Sequence, residues 1–275
     1  MSVQGFPRIN AVARRAWTGL RRHPFLLAFV VLVLAPVAIA AAYVLTQVPR
    51  SPGVGDLRNL KVERASVLLS SDGKELAVFR KTFREWVKLQ DVSPAVLHAL
   101  LATEDHRFYQ HGGLDWRRTM GAALNTLKGR LEGGSTITQQ LARNLFPEEI
   151  GRSITLNRKI KEAITAVRIE SVYNKDEILE IYLNTVPFLY NAYGIEAAAR
   201  TYFDKSARDL DVLESATLVG MLKGTRYYNP VLNPARAQQR RNIVLAQMAR
   251  HGKLEVAQLD SLKQRPLKLN FERQD

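Results

Sequence analysis

From Phe25 to Val48 the chain reads FLLAFVVLVLAPVAIAAAYVLTQV, without one charged residue, between Pro24 and Pro49. At about 1.5 Å rise per residue, roughly 20 apolar residues in a helix span the hydrocarbon core of a bilayer. The run therefore predicts a transmembrane helix over residues 25–48. Arg8, Arg14, Arg15, Arg21 and Arg22 precede it in a basic tail, residues 1–24. Positive charge stays on the cytoplasmic side, which places the N-terminus inside and everything after about residue 50 outside. A cleaved signal peptide is the alternative. Against it, the run is longer than a typical h-region and no small-x-small cleavage site precedes a polar stretch. Pro36, at mid-membrane, predicts a tilt or kink.

This topology decides how the charge is read. Lys and Arg number 40 against 26 Asp and Glu, a formal charge of +14. Such a surplus suits nucleic acid, anionic lipid or a phosphorylated substrate. A domain outside the cytoplasmic membrane meets membrane phosphates, so no nucleic-acid partner is expected. The absence of Cys excludes disulfides and thiolate-bound metals and fits any redox compartment. At 275 residues the chain has room for one sizeable globular domain and an accessory segment.

Residues 49–90 read as a Pro/Gly-containing linker followed by a small β element. Two short strands are predicted within Ala65–Phe79, joined by a turn at Ser70–Lys74 that holds Asp72-Gly73. Ser71 and Lys74 match a Ser-x-x-Lys spacing, but on a turn and without companion motifs the match is accidental. From Ser93 helical periodicity dominates, so residues 91–260 are predicted to form a mainly α domain. Residues 261–275, ending in RPLKLNFERQD, form a C-terminal extension with an extended-looking sequence.

Ser93-Pro94 is a good N-cap and first-turn pair, opening a helix predicted to end near Gly112-Gly113. Leu97, Leu100, Leu101, Glu104 and Phe108 share one stripe of it, so a carboxylate faces the core side. Burying a carboxylate is costly unless the group is partnered, and such placements are more typical of active sites than of structural helices. The bland alternative is a surface pair with Arg107. Further on, Thr136 and Gln139 form a capping box behind Gly133-Gly134. The helix N-terminus so formed, with Ser135, Gln139 and Gln140 nearby, suits anions or sugar hydroxyls, although an ordinary well-capped helix fits this segment equally. Arg158, Lys159 and Lys161 surround Glu162 at helical spacing, either as a solvated ion-pair face or as a cation cluster for a diphosphate, which Arg143 and Arg152 could join. Asn174 caps a following helix whose Leu179, Tyr182 and Leu183 are at core spacing.

These segments occur together and in order. ATEDHRFYQHGG (102–113), GGSTITQQLARN (133–144), RKIKEAITAVRIE (158–170) and NKDEILEIYLN (174–184), with a tail through Asn229-Pro230, resemble the signatures of the family 51 glycosyltransferases. These are the glycan-polymerising domains of monofunctional transglycosylases and class A penicillin-binding proteins. The first signature is met by Glu104, Asp105, Phe108, His111 and Gly113. Thr136, Asn184 and Asn229 are further motif positions. There are departures: Arg143 stands where Lys is usual, the loop between Asn144 and Arg158 is longer, and PFLYNAYG replaces a more Gly-rich pattern.

The resemblance implies a lysozyme-like, two-lobed, mainly α fold on one membrane anchor. It implies an inverting transfer that joins lipid II to a growing glycan on undecaprenyl diphosphate through a β-1,4 bond. Glu104 would be the general base, with Glu162 and Asp105 also in the catalytic set. Arg143, Arg152, Arg158 and Lys159 would hold the diphosphate, with Ser135, Gln139 and Gln140 lining the donor subsite. No cofactor is required and no metal-ligand cluster is evident, although Mg²⁺ or another divalent cation assists the diphosphate in some family members. Transpeptidase, division or elongation proteins are the partners the resemblance suggests. The competing readings are a truncated bifunctional penicillin-binding protein, a lytic lysozyme-like enzyme and an inactive wall-binding scaffold.

Overall fold

A computed structural model describes residues 23–58, 66–69, 75–79, 83–127, 133–151, 153 and 155–273. The chain divides into two compact units, one ending at Arg50 and one beginning at Ser51. In the first, α1 (Pro24–Phe29), a π turn (Val30–Leu34) and α2 (Ala35–Gln47) run into a 3-10 turn (Val48–Arg50). Pro36 does not break this helix. Its ring lacks an N–H and crowds the carbonyl four residues back, at Leu32, and the wider π turn there relieves both. The segment Val31–Arg50 is long and apolar enough to cross a membrane. Its apolar side chains, Leu32, Ile39 and Leu45 among them, are exposed, as a lipid-facing helix requires. The arginines ahead of it lie outside the described residues.

The second unit opens with α3 (Val54–Arg58). The predicted hairpin follows as β1 (Ser66–Leu69) and β2 (Glu75–Phe79), antiparallel, with Ser66 opposite Phe79 and Val67 opposite Val78. Its turn, with Ser71 and Lys74, lies outside the described residues. After β3 (Phe83–Arg84) the chain is helical: α4 (Pro94–Glu104), α5 (Trp116–Leu127), α6 (Ile137–Leu145), α7 (Pro147–Ile150), α8 (Leu156–Val172) and α9 (Lys175–Thr185). A short β4 (Ala192–Tyr193), parallel to β3, precedes α10 (Ile195–Phe203), α11 (Val212–Met221), α12 (Pro234–Arg250) and α13 (Val256–Gln264). The domain is mainly α, as expected.

Two helix groups share the core. In one, α4, α11 and α12 pack together through Leu100, Leu218 and Val244; in the other, α6 packs against α8 and α9 through Leu141, Ile169 and Leu179. The capping box drawn from sequence is present at Thr136/Gln139, and the Asn174 cap is present too, where the structure adds Glu177 to complete a second box. The first long helix is shorter than predicted: α4 ends at Glu104. Asp105 leaves helical geometry (φ −160°, ψ 75°) because its carboxylate is held by distant groups, His111 and the Ile137 N–H. Phe108 therefore reaches the core from a separate 3-10 turn, not from the stripe of α4.

Gly113 makes a close approach possible. It adopts φ +76°, and a Cβ there would stand 3.0 Å from the Ala166 backbone on α8. Any side chain would be strained by its backbone angle and would push the first signature away from the helix carrying Glu162. In the Gly-poor segment PFLYNAYG, by contrast, Leu189, Tyr190 and Asn191 take left-handed φ values of 72°, 50° and 59°. Such angles cost free energy in non-glycine residues. The C-terminal extension folds back onto the domain. Phe271 packs on Tyr190 and Tyr202, and the Asn270 and Glu272 N–H groups donate to the carbonyls of Tyr202 and Thr201. The buried Arg241 guanidinium binds carbonyls of Lys263, Arg265 and Pro266.

Candidate active site

Helix α6 carries the groups that hold both candidate carboxylates. Its Gln140 donates through Nε2 to Glu104 Oε2 at 2.9 Å. Three residues on, Arg143 NH1 lies 3.6 Å from Glu162 Oε1. Residues three apart are neighbours on one helix face, so the two carboxylates are gripped within about one turn of each other.

Glu104, at the last turn of α4, is mostly buried, its side chain 14% exposed. Its Oε1 lies 3.6 Å from Arg240 NH2 of α12, and its backbone carbonyl accepts from Arg118. Arg107 does not pair with it; that guanidinium goes to Asp115 at 3.4 Å. Glu104 opens into a cleft of about 510 Å³ lined by the cationic side chains of Arg118, Lys223, Arg240 and Arg250, with His251 beside them. At its rim His106 stacks on His251 with ring centroids 4.4 Å apart. Burial, then His106 and Arg250, push the His251 pKa below its usual value.

Glu162 has no exposed surface at all. Lys159 Nζ lies 2.6 Å from its Oε2 and Arg158 Nε 3.3 Å from its Oε1. Lys159 also donates to Ser135 Oγ at 2.8 Å, joining the start of the second signature to this cluster. The Arg143 and Lys159 side chains remain 36% and 40% exposed. The acid is thus wholly enclosed while two of its cations keep a solvent-facing side for another anion. Lys161 is not part of the cluster. One position further round α8, it donates to the Glu149 carbonyl instead. Arg152 lies outside the described residues.

Asp105 is 1% exposed. It accepts from His111 Nε2 at 3.0 Å and from the Ile137 N–H at 3.1 Å, tying the first signature to the N-terminus of α6. Negative charge at a helix N-terminus is favourable. Thr136 reinforces the join by donating to the Gly113 carbonyl at 2.7 Å. Gln139 is occupied as a cap, its Oε1 accepting the Thr136 N–H at 2.9 Å. Gln140 turns to Glu104, not to the Glu162 cluster. Phe108 is buried beneath Lys175, whose Nζ is 4.3 Å from the ring centroid.

Two motif residues serve the scaffold. Asn184 accepts the Val87 N–H at 2.9 Å and donates to the Val87 carbonyl at 2.8 Å, stitching the segment before α4 to α9. Asn229 donates to Tyr202 Oη at 2.8 Å and accepts from the Val231 and Leu232 N–H groups, which shapes a turn. Sequence reasoning missed Arg240. The signal was present: Ala237, Arg240, Arg241, Val244, Leu245 and Met248 share one helical stripe, so two cations fall on an apolar face, the same sign that singled out Glu104.

Glu162 is faced by three cations. Among the described residues, Asp105, His111 and Asp115 place ligand atoms within 4.8 Å of one another. Those groups already bind the Ile137 N–H, Arg107 and the Arg118 N–H. Burial alone would raise the Asp115 carboxyl, but these donors outweigh it and hold it below the usual range. Neither set fits a divalent ion as it stands.

Two carboxylates are thus gathered around α6, one enclosed by cations and one facing a basic cleft. The chain matches the family model described as transglycosylase over residues 72–249, and it belongs to that family. It is 40% identical over 233 residues to penicillin-binding protein 2D of Bacillus subtilis, covering 84% of this chain and 33% of that one. It is also 40% identical over 227 residues to penicillin-binding protein 1A of Escherichia coli, covering 81% and 26%. The chain thus spans about a third or less of the length of these relatives. Against the crystal structure of penicillin-binding protein 1A from Haemophilus influenzae the TM-score is 0.44 at 24% identity, covering 78% of this chain and 22% of that one.

Proposed function

We propose that this transglycosylase domain is a peptidoglycan glycosyltransferase that polymerises lipid II by inverting β-1,4 transfer from a glycan on undecaprenyl diphosphate. The observation that carries this reading is the contrast between the two carboxylates: Glu162 enclosed by Arg143, Arg158 and Lys159, and Glu104 open to a cleft. The acceptor hydroxyl is a poor nucleophile at neutral pH, so a base must take its proton as it attacks. Glu104 supplies that base, with Gln140 on Oε2 and Arg240, itself a cleft residue, 3.6 Å from Oε1. The leaving diphosphate gathers charge, which preorganised cations stabilise more effectively than water does. Arg143, Arg158 and Lys159 supply these cations in this reading, Glu162 fixes their geometry, and Arg152 belongs to the same set by its position in the signature. No step is assigned to a divalent ion.

A lytic enzyme acting on neutral glycan would use one buried acid but has no need of the Glu162 cluster, so this reading is not favoured. The apolar N-terminal helix, as a single-pass anchor with the catalytic domain outside the cytoplasm, keeps the enzyme among its lipid-linked substrates and raises their effective concentration. The test is incubation with labelled lipid II, with and without moenomycin, which resembles the donor. Growth of glycan that moenomycin stops supports the proposal; activity confined to preformed glycan overturns it.

A further inference from the structure

Tyr182 was read from sequence as a core residue of α9, and it is fully buried. Its hydroxyl, however, reaches the site: it donates to Gln140 Oε1 at 2.9 Å. Gln140 in turn donates from Nε2 to Glu104 Oε2 at 2.9 Å. The directions are fixed by chemistry. An ionised carboxylate only accepts, so the amide must turn its NH₂ to Glu104 and its oxygen away, and Tyr182 must then be the donor. Burial, reinforced by the nearby charge of Glu104 and opposed by Arg143, raises the phenol pKa well above its usual value and keeps that proton in place. A phenylalanine would fill the same space, so core packing alone gives no reason for the hydroxyl.

We propose that Tyr182 is a positioning residue for the transfer reaction, acting through Gln140. Its hydroxyl locks the amide so that Oε2 of Glu104 is held by an N–H donor, while Oε1, 3.6 Å from Arg240 NH2, is the oxygen that accepts the proton of the attacking hydroxyl. This rests on Glu104 being the base. Loss of the hydroxyl frees the amide to rotate and loosens the carboxylate. Substrate contacts are untouched, so the effect falls on kcat rather than KM.

The experiment is a double-mutant cycle on the full chain with lipid II as substrate, using Tyr182→Phe, Gln140→Leu and the pair. Tyr182→Phe is expected to lower kcat by about 10-fold, a part of the roughly 10²–10⁴-fold that a general base supplies, with KM within about twofold of wild type. In the Gln140→Leu background the same change should do nothing further, because its only route to Glu104 is gone. Placing 4-aminophenylalanine at position 182 restores a donor and should recover most of the rate. Independent, multiplicative losses in the cycle would overturn the inference, as would a slow 4-aminophenylalanine variant or a Tyr182→Phe enzyme with wild-type kcat. Glu104→Gln is assayed alongside. If that variant is active, the base assignment fails; if it is inactive and the cycle shows no coupling, only the role of Tyr182 fails.

Discussion

Arg240 brings a guanidinium nitrogen to 3.6 Å from Oε1 of Glu104, joining α12 to the end of α4. Both side chains are largely enclosed, at 9% and 14% exposure, so the pair is little screened by solvent. Arg240 also donates to the Gly220 carbonyl at 3.4 Å. It lies outside the four signatures yet is a direct charged neighbour of the proposed base. Arg240→Ala is expected to lower the polymerisation rate by roughly 10²-fold, the scale of losing one preorganised electrostatic donor. Arg240→Lys should recover part of the rate, since it keeps the charge without the planar fork. Steady-state kinetics of both variants checks this.

Glu162 holds its cations from a position without solvent contact. Glu162→Gln should leave the fold intact, because Arg143 and Lys159 are exposed enough to rehydrate, but should lower kcat/KM by about 10²-fold or more as the cation geometry is lost. Circular dichroism and a polymerisation assay on the same sample separate the two effects. A near wild-type rate would remove Glu162 from the site.

Asp105 acts on structure before chemistry. Asp105→Ala strands the Ile137 N–H and the His111 ring at a buried junction, which costs about 1–3 kcal/mol per unsatisfied group. With two such groups the melting temperature should fall by roughly 4–24 °C for a domain of this size. Asp105→Asn keeps an acceptor for the Ile137 N–H and should lose less. Differential scanning calorimetry of the two variants measures this.

His251 ties stability to pH. The folded state depresses its pKa through burial, His106 and Arg250, and His98 is depressed likewise by burial and Lys253. The unfolded chain therefore binds more protons near the ordinary histidine pKa of about 6.5, and stability rises with pH through that region. Acidification below it should destabilise the protein, as His251 takes up a proton against its burial and the neighbouring Arg250 charge. His251→Asn should flatten the dependence below about pH 6.5, and His98→Asn should flatten it further. Urea unfolding across that range is the measurement.

Much of this was legible in the sequence because local rules govern it. The capping box at Thr136, the cap at Asn174, the hairpin at 66–79 and the pairing of Glu162 with Arg158 and Lys159 each depend on residues a few positions apart. The end of α4 was not legible. Asp105 leaves the helix for a hydrogen bond with Ile137 across the chain, which periodicity does not register. For the same reason Gln140 was read as lining the donor subsite, although its partners are Glu104 and Tyr182. Arg240 carried a readable signal, a cation on an apolar stripe, but no local partner to mark its role.

The central claim is that Glu104 takes the proton of the attacking hydroxyl. Measuring lipid II polymerisation by Glu104→Gln, in a sample shown by calorimetry to be folded, tests it most directly. A rate lowered by roughly 10²–10⁴-fold with donor binding retained is expected. A folded Glu104→Gln enzyme that elongates glycan at the wild-type rate would contradict it.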